Sequence, residues 1–447
     1  MNIARTFLLH SLGLLLLAIF LTAGCSGKRG EDSDGKVTVT FWHSCVSSTV
    51  PALTELIAKF EQEHPGIRIK AQYVPTGDAL IQKLITSVQS HTAPDISWIH
   101  ANFLQSIIDA DAIYKIDDFQ HGPDSLSAAD LNDIFPPLME EAKWRGTLYS
   151  LPMEATGIGL LYNKELFRNA GLDPERGPKD WAELREYAKK LTIDKNGDGK
   201  IDQYGFFVPA FPASGPLGDW MVWQFYPFLF QAGGLNINKE QTQVLYNSQS
   251  GVEALTLWKD IYQENHLSSF GVDYEPAFAS KQLAMALDGP WNLPRWKQIP
   301  GLDWMVAPMP KGPVKQATIV GGEYLAIFKQ TQHPKEAWTF VKWMTRPDVQ
   351  ALWSMKSGYL PIRHAVRSVK EYNEFLDAHP ALKTYVDQMD VAQVPNSIDY
   401  DALKISRHLA EAIENATVGN ADPKTVLDQA AGKSNTLLQA SAQGRTK

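Results

Sequence analysis

The chain has 447 residues, 44% hydrophobic and 21% charged, the composition of an ordinary soluble globular protein long enough for two domains. A net charge of -8 leaves no basic surplus to neutralise phosphates, which excludes nucleic acid as a partner. Thirteen Trp, fifteen Tyr and nineteen Phe either fill a core or supply flat surfaces for a ligand.

The opening "MNIARTFLLHSLGLLLLAIFLTAGCSGKRG" places Arg5 before an apolar run from Phe7 to Ala23, with the small pair Ala23 and Gly24 ahead of Cys25. This is the layout of an export signal over residues 1–24. It resembles a bacterial lipobox with Thr22 where Leu is usual, and implies lipidation of Cys25; plain cleavage with a soluble product is the alternative. Residues 25–36 read as a polar tether. A lipidated Cys25 leaves Cys45 without an intramolecular partner, and Cys45 is expected to be a passive small residue rather than a catalytic thiol.

"KVTVTFWH" alternates Val37, Val39 and Phe41 against Thr38, Thr40 and Trp42, a strand pattern. After Pro51, Leu53, Leu56, Ile57 and Phe60 repeat at helical spacing until Pro65 and Gly66 stop the run. "IRIKAQYV" returns to strand, "DALIQKLITSVQS" to helix and "PDISWIH" to strand, so repeated βαβ units predict a parallel sheet with helices on its faces. Ligands of such sheets sit beyond the carboxyl ends of the strands, which directs Trp42, His43 and Ser44, and His100 and Asn102, towards one crevice. "GTLYSLPMEATGIGLLYNKELF" runs from strand into helix, and "PKDWAELREYAKKLTI" is a helix with Trp181, Leu184, Ala188 and Leu191 on one face. "DWMVWQFYPFLFQAGG" is too aromatic to be all solvent-facing. "SGVEALTLWKDIYQENHL" and "HPKEAWTFVKWMTRPDVQALWSMKSGYLP" are amphipathic helices, and the part beyond Ser368 is helical with polar breaks.

The helix ending near Ile193 leads into "DKNGDGKID". Asp194, Asn196, Asp198, Lys200 and Asp202 occupy positions one, three, five, seven and nine of a calcium loop, with Gly199 at the sharp turn. Position twelve, where a bidentate Glu belongs, is Gly205, and "QYGFFV" reads as a strand. The loop is either a structural calcium clip or a hydrated Asx-turn loop.

In this order, "FWHS", "KFEQEHPGIRI", "APDI", "LPMEATGIGLLYNKELFRNAGLDP", "DWAEL", "AMALDGPWNLP", "DWMVAPMPKG", "GGEYLAI", "HPKEAWTFVKWMT" and "SGYLPIR" resemble a known family. It is the maltose-binding-like branch of the bacterial extracellular solute-binding proteins, ABC-importer components that carry sugars and glycerol phosphates. The resemblance implies an α/β, type II periplasmic-binding-protein fold: two lobes, a hinge the chain crosses three times, and a cleft that closes on ligand. Crossings near Pro152, Lys311 and Gly358 would give lobe one as 37–152 plus 312–357 and lobe two as 153–311 plus 358–447. The same resemblance implies a monomer that hands its ligand to membrane permease subunits. It would be exported and held at the cell envelope by the lipid on Cys25, on the periplasmic side or the outer face of the membrane. No cofactor beyond the calcium option is implied.

The resemblance also assigns site residues. Trp291 aligns with the family's stacking tryptophan and Trp223 with a second stacking aromatic; core filling is the alternative for each, and Trp220 is a further candidate. Asp288 lies close enough in sequence to Trp291 to accept hydroxyl protons. Glu154 and Thr156 match positions that reach the cleft, and Asn102 stands where sugar binders often have an acid. Gly321 and Gly322 in "GGEYLA", ahead of Glu323, mark either close backbone approach to a ligand or a tight turn. Tyr359 lies at the third crossing, with Arg363 either at the site or paired with a surface carboxylate. Glycerol-phosphate members carry an acid where His100 stands and an arginine where Ser406 aligns, and an alignment slip of one would supply Arg407. The aromatic second lobe favours a neutral di- or oligosaccharide over a phosphate ligand. Glu154 and Asp288 are also the acids a glycoside hydrolase would need. No catalytic motif accompanies them, and a binding protein without enzymatic activity is expected.

Overall fold

The computed structural model describes residues 35–76, 78–215, 217–267, 273–395 and 401–444. The export signal, Cys25 and most of the tether therefore lie outside the described residues. No helix among the described residues is long and apolar enough to cross a membrane.

Strand β1 (Val37–His43) buries Val39 and Phe41. The helix Val50–Glu63 starts with proline in its first turn, buries Leu53, Leu56 and Phe60, and stops before Pro65. Strands β2 (Ile67–Tyr73) and β3 (Ile96–His100) both pair in parallel with β1, as the βαβ pattern predicts. A hairpin of β4 (Lys143–Trp144) and β5 (Thr147–Leu148) precedes the buried strands β6 (Leu151–Gly157) and β7 (Gly159–Asn163). Then come β8 (Tyr204–Phe207), β9 (Leu283–Asp288), β10 (Trp304–Ala307), β11 (Thr318–Ile327) and β12 (Ala392–Gln393). One sheet has the order β12-β11-β3-β1-β2 with β6 also paired to β11, and a second has the order β10-β7-β9-β8. The long run from His333 divides into helices Pro334–Met344 and Pro347–Ser357, because Pro347 can begin a helix but not continue one.

Two hydrophobic cores form. The first gathers Phe41, Leu56, Phe60, Ile99, Ile327 and Phe340; the second gathers Leu161, Phe206, Phe225, Trp258, Leu287 and Ile413. On β6 the core changes after Met153, since Leu151 and Met153 pack in the first and Ala155 and Ile158 in the second. On β11 it changes back, with Ile319 and Val320 in the second core and Tyr324 to Ile327 in the first. Tyr359 belongs to the first core and Leu360 to the second. Ala155 and Leu360 exchange backbone hydrogen bonds of 2.9 and 2.8 Å, so the three passages lie side by side with β6 in the middle. This is the two-lobe type II architecture, an α/β fold with a three-stranded hinge.

The second passage lies further along the chain than Lys311. Lys311 is tied by its backbone to Lys179 and Trp181, and Ala317 and Ile319 still pack in the second core. The crossing that the family resemblance implied lay near Lys311, but the chain re-enters the second core before crossing on β11. Gly358 ends the helix Pro347–Ser357 in the left-handed region at φ 88°, where an added Cβ would stand 2.4 Å from the Pro290 carbonyl oxygen.

Candidate ligand-binding cleft

Between the two cores lies a cavity of about 750 Å³. The first core contributes Ser44, Thr76, Trp98 and the turn from His100 to Gln105 that follows β3. The second contributes Tyr274 together with Asp219, Trp220, Trp223 and Tyr226, which the helix Gly218–Gln231 places on one face by their spacing, and Trp291 packs against the first core. The hinge passages supply Thr156, Gly321, Gly322, Glu323 and Tyr359.

The aromatic wall is built from three indoles. Trp220 stacks on Trp223 with ring centres 5.2 Å apart at 19°, and Trp291 meets Trp220 edge-on at 5.4 Å and 68°. Trp291 folds back over its own turn: a Cβ on Gly289 would fall 1.8 Å from the indole, so only glycine admits that position. Trp291 also lies 6.4 Å from Tyr359, which stacks on Trp353 at 6.0 Å and 14°. At Gly321 an added Cβ would touch Trp223 at 3.4 Å, so the missing side chain leaves the floor clear beneath the indole.

Polar groups face the same space. The Asn102 amide donates to Asp219 at 2.8 Å and the Ser406 hydroxyl donates to the other Asp219 oxygen at 2.5 Å, so Asp219 bridges both walls. The Asp401 backbone N–H donates to Gln105 at 2.8 Å, a second tie across the cleft. Among the described residues, three buried polar atoms lining the cavity have no protein partner: Glu323 Oε2, Thr156 Oγ1 and Asn102 Oδ1. Such atoms are costly unless something hydrogen-bonds to them.

Residues 55–384 match the bacterial extracellular solute-binding proteins. The chain belongs to that family. It is 24% identical to the sn-glycerol-3-phosphate-binding periplasmic protein UgpB of Pectobacterium atrosepticum, covering 90% of this chain and 91% of that one. It is 28% identical to the cyclic alpha-maltosyl-1,6-maltose binding protein of Arthrobacter globiformis, at a TM-score of 0.77 over 91% of this chain and all of that one. The fold is shared also with UgpB of Mycobacterium tuberculosis, solved with glycerophosphocholine, at 20% identity and a TM-score of 0.76 over 91% of this chain and all of that one.

Of the residues expected at this solute-binding protein's site, Ser44, His100, Asn102, Thr156, Trp223, Trp291, Gly321, Gly322, Glu323 and Tyr359 line the cavity, as does Trp220. Trp42, His43, Glu154, Asp288 and Arg363 do not. Trp42 is buried in the first core with Lys83 Nζ 4.4 Å from its ring centre, because helices cover both faces of β1. His43 is buried beside Phe41 and Tyr73, and burial lowers its pKa. Asp288 turns into the second core, where it accepts from Tyr274 at 2.9 Å, Asn292 at 2.9 Å and Trp296 at 2.6 Å. Burial pushes its carboxyl up to about 6. It therefore holds the turn that carries Trp291 rather than facing the cavity. Arg363 bonds Asp133 at 2.6 Å, Asp130 at 3.1 Å and the Thr345 carbonyl at 3.0 Å, all structural partners. Ser44 lines the cavity, but its hydroxyl donates to the Val74 carbonyl at 2.8 Å.

Glu154 lies just behind the floor and accepts from the indole N–H groups of Trp98 at 3.3 Å and Trp353 at 2.5 Å. Burial raises its carboxyl to about 8. Glu323, its register partner across β6 and β11, is pushed well above the usual carboxylate range by burial and by Glu154. Burial also lifts Glu141, which accepts from Tyr324 at 2.8 Å, to about 7. His100 is wedged edge-on against Trp98 and Phe103, and burial lowers it to about 4, so it is neutral.

The acidic loop lies away from the cleft and is exposed. Asp194 accepts from the N–H groups of Gly197 at 2.7 Å and Gly199 at 2.8 Å, which hold its carboxyl below the ordinary value. Asn196 and Asp198 close Asx turns of 2.9 Å onto Asp198 and Lys200, and Asp202 accepts from Lys195 at 2.7 Å. Among the described residues no three His, Cys, Asp or Glu side chains come together as a metal site. Gly205 cannot be exchanged for the missing twelfth ligand, since a Cβ there would lie 1.9 Å from the Ala188 carbonyl oxygen.

Sequence reasoning missed Trp98, Glu141, Asp219, Tyr226 and Tyr274 as lining residues. The signal for Asp219 and Tyr226 was present, because they share helical spacing with Trp223.

Proposed function

We propose that this solute-binding protein captures a neutral carbohydrate, a di- or oligosaccharide, in the cleft and delivers it to an ABC permease. The observation that carries the reading is the wall of Trp220, Trp223 and Trp291 facing the unpartnered atoms Glu323 Oε2, Thr156 Oγ1 and Asn102 Oδ1 across about 750 Å³. Apolar sugar faces suit the indoles and hydroxyl rims suit the polar atoms. Phosphate fits the lining poorly. Among the described residues no arginine lines the cavity, Lys143 is paired with Glu140 at 2.7 Å, and His100 is neutral. Ser406 faces the cleft, whereas Arg407 is exposed, so the arginine of the glycerol-phosphate pattern is not regained. Glu154 and Asp288 point into protein on different elements, which speaks against a pair of acids flanking a glycosidic bond. Lipidation of Cys25 would keep the protein beside its permease.

A thermal-shift panel of maltose, maltotriose, cyclic oligosaccharides and glycerol 3-phosphate tests this. Ligand at a hundred times its dissociation constant adds roughly 2.7 kcal/mol to folding. Stabilisation by glycerol 3-phosphate and by none of the sugars sinks the carbohydrate reading. Trp291→Ala is expected to weaken sugar binding by roughly tenfold to a hundredfold while the protein stays folded, from lost stacking.

A further inference from the structure

We propose that Glu323 contacts the ligand as a neutral carboxylic acid, its O–H donating to an acceptor oxygen of the carbohydrate, while Glu154 behind it is the first of the two to ionise. The inference rests on the carbohydrate reading and adds to it the residue that selects an acceptor at the cleft floor.

The geometry begins with β11, which lies between β3 and β6 and pairs Glu323 in register with both His100 and Glu154. Paired residues of neighbouring strands point to one face, so three titratable side chains form a row across the sheet. The end members are committed elsewhere. His100 Nε2 is 2.9 Å from Thr76 Oγ1, and its ring is held by Trp98 and Phe103. Glu154 receives one indole N–H on each oxygen. A carboxylate is acceptor-only, and two donors aimed at its two oxygens suit the ionised form.

Among the described residues Glu323 has no side-chain donor of that kind, its own backbone N–H being the one hydrogen bond that favours its ionised form. It is 7% exposed, and its Oε2 is buried at the cavity wall without a partner. The other titratable groups packed around the row are Glu141, Cys45, Tyr324 and Tyr359, none of them a cation at neutral pH. Two adjoining buried carboxyls without a cation cannot both ionise readily, and the donors on Glu154 make it the first to lose its proton, which keeps the proton on Glu323. Its O–H is then a donor with no acceptor among the described residues. Thr156 Oγ1, also unpartnered, sits on the β6 residue that pairs with Gly321, two positions along β11 from Glu323 on the same face. The two together offer a polar edge beneath Trp223, whose ring is cleared by Gly321. A sugar lying on the indoles presents its hydroxyl or ring oxygens there.

The alternative ligand chemistry, an ammonium group recognised by ionised Glu323, makes the opposite predictions. Maltotriose binding is measured by calorimetry between about pH 6 and 9 in wild type, Glu323→Gln, Glu323→Ala and Glu141→Gln. Wild-type affinity is expected to fall as pH rises through the Glu323 titration. Glu323→Gln, which keeps an N–H donor, is expected to bind within about threefold of wild type and with a flattened pH profile, while Glu323→Ala loses about tenfold or more. Glu141→Gln should retain the wild-type fall, which excludes Glu141 as its source. Affinity that is flat or rises with pH, or a Gln variant as weak as the Ala variant, overturns the proposal. A ligand-free readout stands beside this. The infrared difference between wild type and Glu323→Gln at neutral pH should contain the carbonyl band of a neutral carboxylic acid, and its absence overturns the protonation assignment whatever the ligand. Failure of maltotriose and every other panel sugar to bind wild type, with that band present, refutes the carbohydrate reading and the ligand contact while leaving the proton on Glu323.

Discussion

Arg363 decides between a ligand contact and a structural clamp. Its side chain, 6% exposed, spans Asp133, Asp130 and the Thr345 carbonyl, and its backbone pairs with Ile134. Removing one partner of a fully buried ion pair costs about 3–5 kcal/mol. The two aspartates keep 23% and 42% of their side-chain exposure, so water recovers part of that loss. The Thr345 carbonyl, left without its donor, adds about 1 kcal/mol. Arg363→Ala is therefore expected to lower stability by about 3 kcal/mol, and Arg363→Lys by less than that, since the ammonium keeps the charge but loses the planar fork that reaches all three acceptors. Urea unfolding followed by tryptophan fluorescence reads the loss as a lower midpoint with unchanged slope. Sugar affinity, measured by calorimetry on the folded variant, should stay within about threefold. An affinity loss of tenfold or more at wild-type stability would restore Arg363 to the site and refute the clamp.

Glu141, raised to about 7 in the folded chain from 4.5, lends stability that is complete below pH 4.5 and is lost as pH rises through about 7. Glu141→Gln keeps an acceptor for Tyr324, so it should gain on the order of 2 kcal/mol relative to wild type between those limits, solvent at the cavity wall reducing the full effect. Parallel urea midpoints across that range would contradict the assignment. Gly358→Ala places a Cβ 2.4 Å from the Pro290 carbonyl oxygen at φ 88° and should cost at least about 2 kcal/mol, detectable as a lower unfolding temperature; an unchanged temperature would show that the passage relaxes freely. Adding calcium or a chelator should leave the unfolding temperature unchanged, because Asx turns already hold the acidic loop; a reproducible shift with calcium would establish the clip.

The elements were legible because their patterns are local. Alternation in β1 and helical spacing from Leu53 to Phe60 each require burial of one face, and neighbouring residues report that face directly. The passages between lobes were less legible. All ten residues of β11 are buried, so nothing in its hydrophobic run marks where one core gives way to the other. Asp288 shows the corresponding limit at the site: closeness in sequence to Trp291 does not fix direction. Strand β9 sends Asp288 inward to three donors, and the reversal at Gly289 sends Trp291 the other way.

The carboxyl row has a different reason for being hidden. Glu154 and Glu323 are far apart in sequence and meet only because β11 is inserted between β3 and β6. Formal charge counts each as a full negative, whereas their shared burial raises both carboxyls well above the usual range, Glu154 to about 8. The "GGEYLA" stretch could be read for its glycines, which speak of backbone clearance. Its glutamate acquires a donor's role only once the indoles of Trp98 and Trp353 have satisfied its neighbour. Cleft chemistry of this kind follows from register and hydrogen-bond inventory, so a substitution at Trp353 is expected to change the titration of Glu154 and, through it, that of Glu323. In Trp353→Phe the ionised form of Glu154 loses a donor, its titration should move above about 8, and the infrared band of its neutral carboxyl should persist to higher pH than in wild type. An unchanged midpoint for that band would mean that the indole donors do not set which acid ionises first.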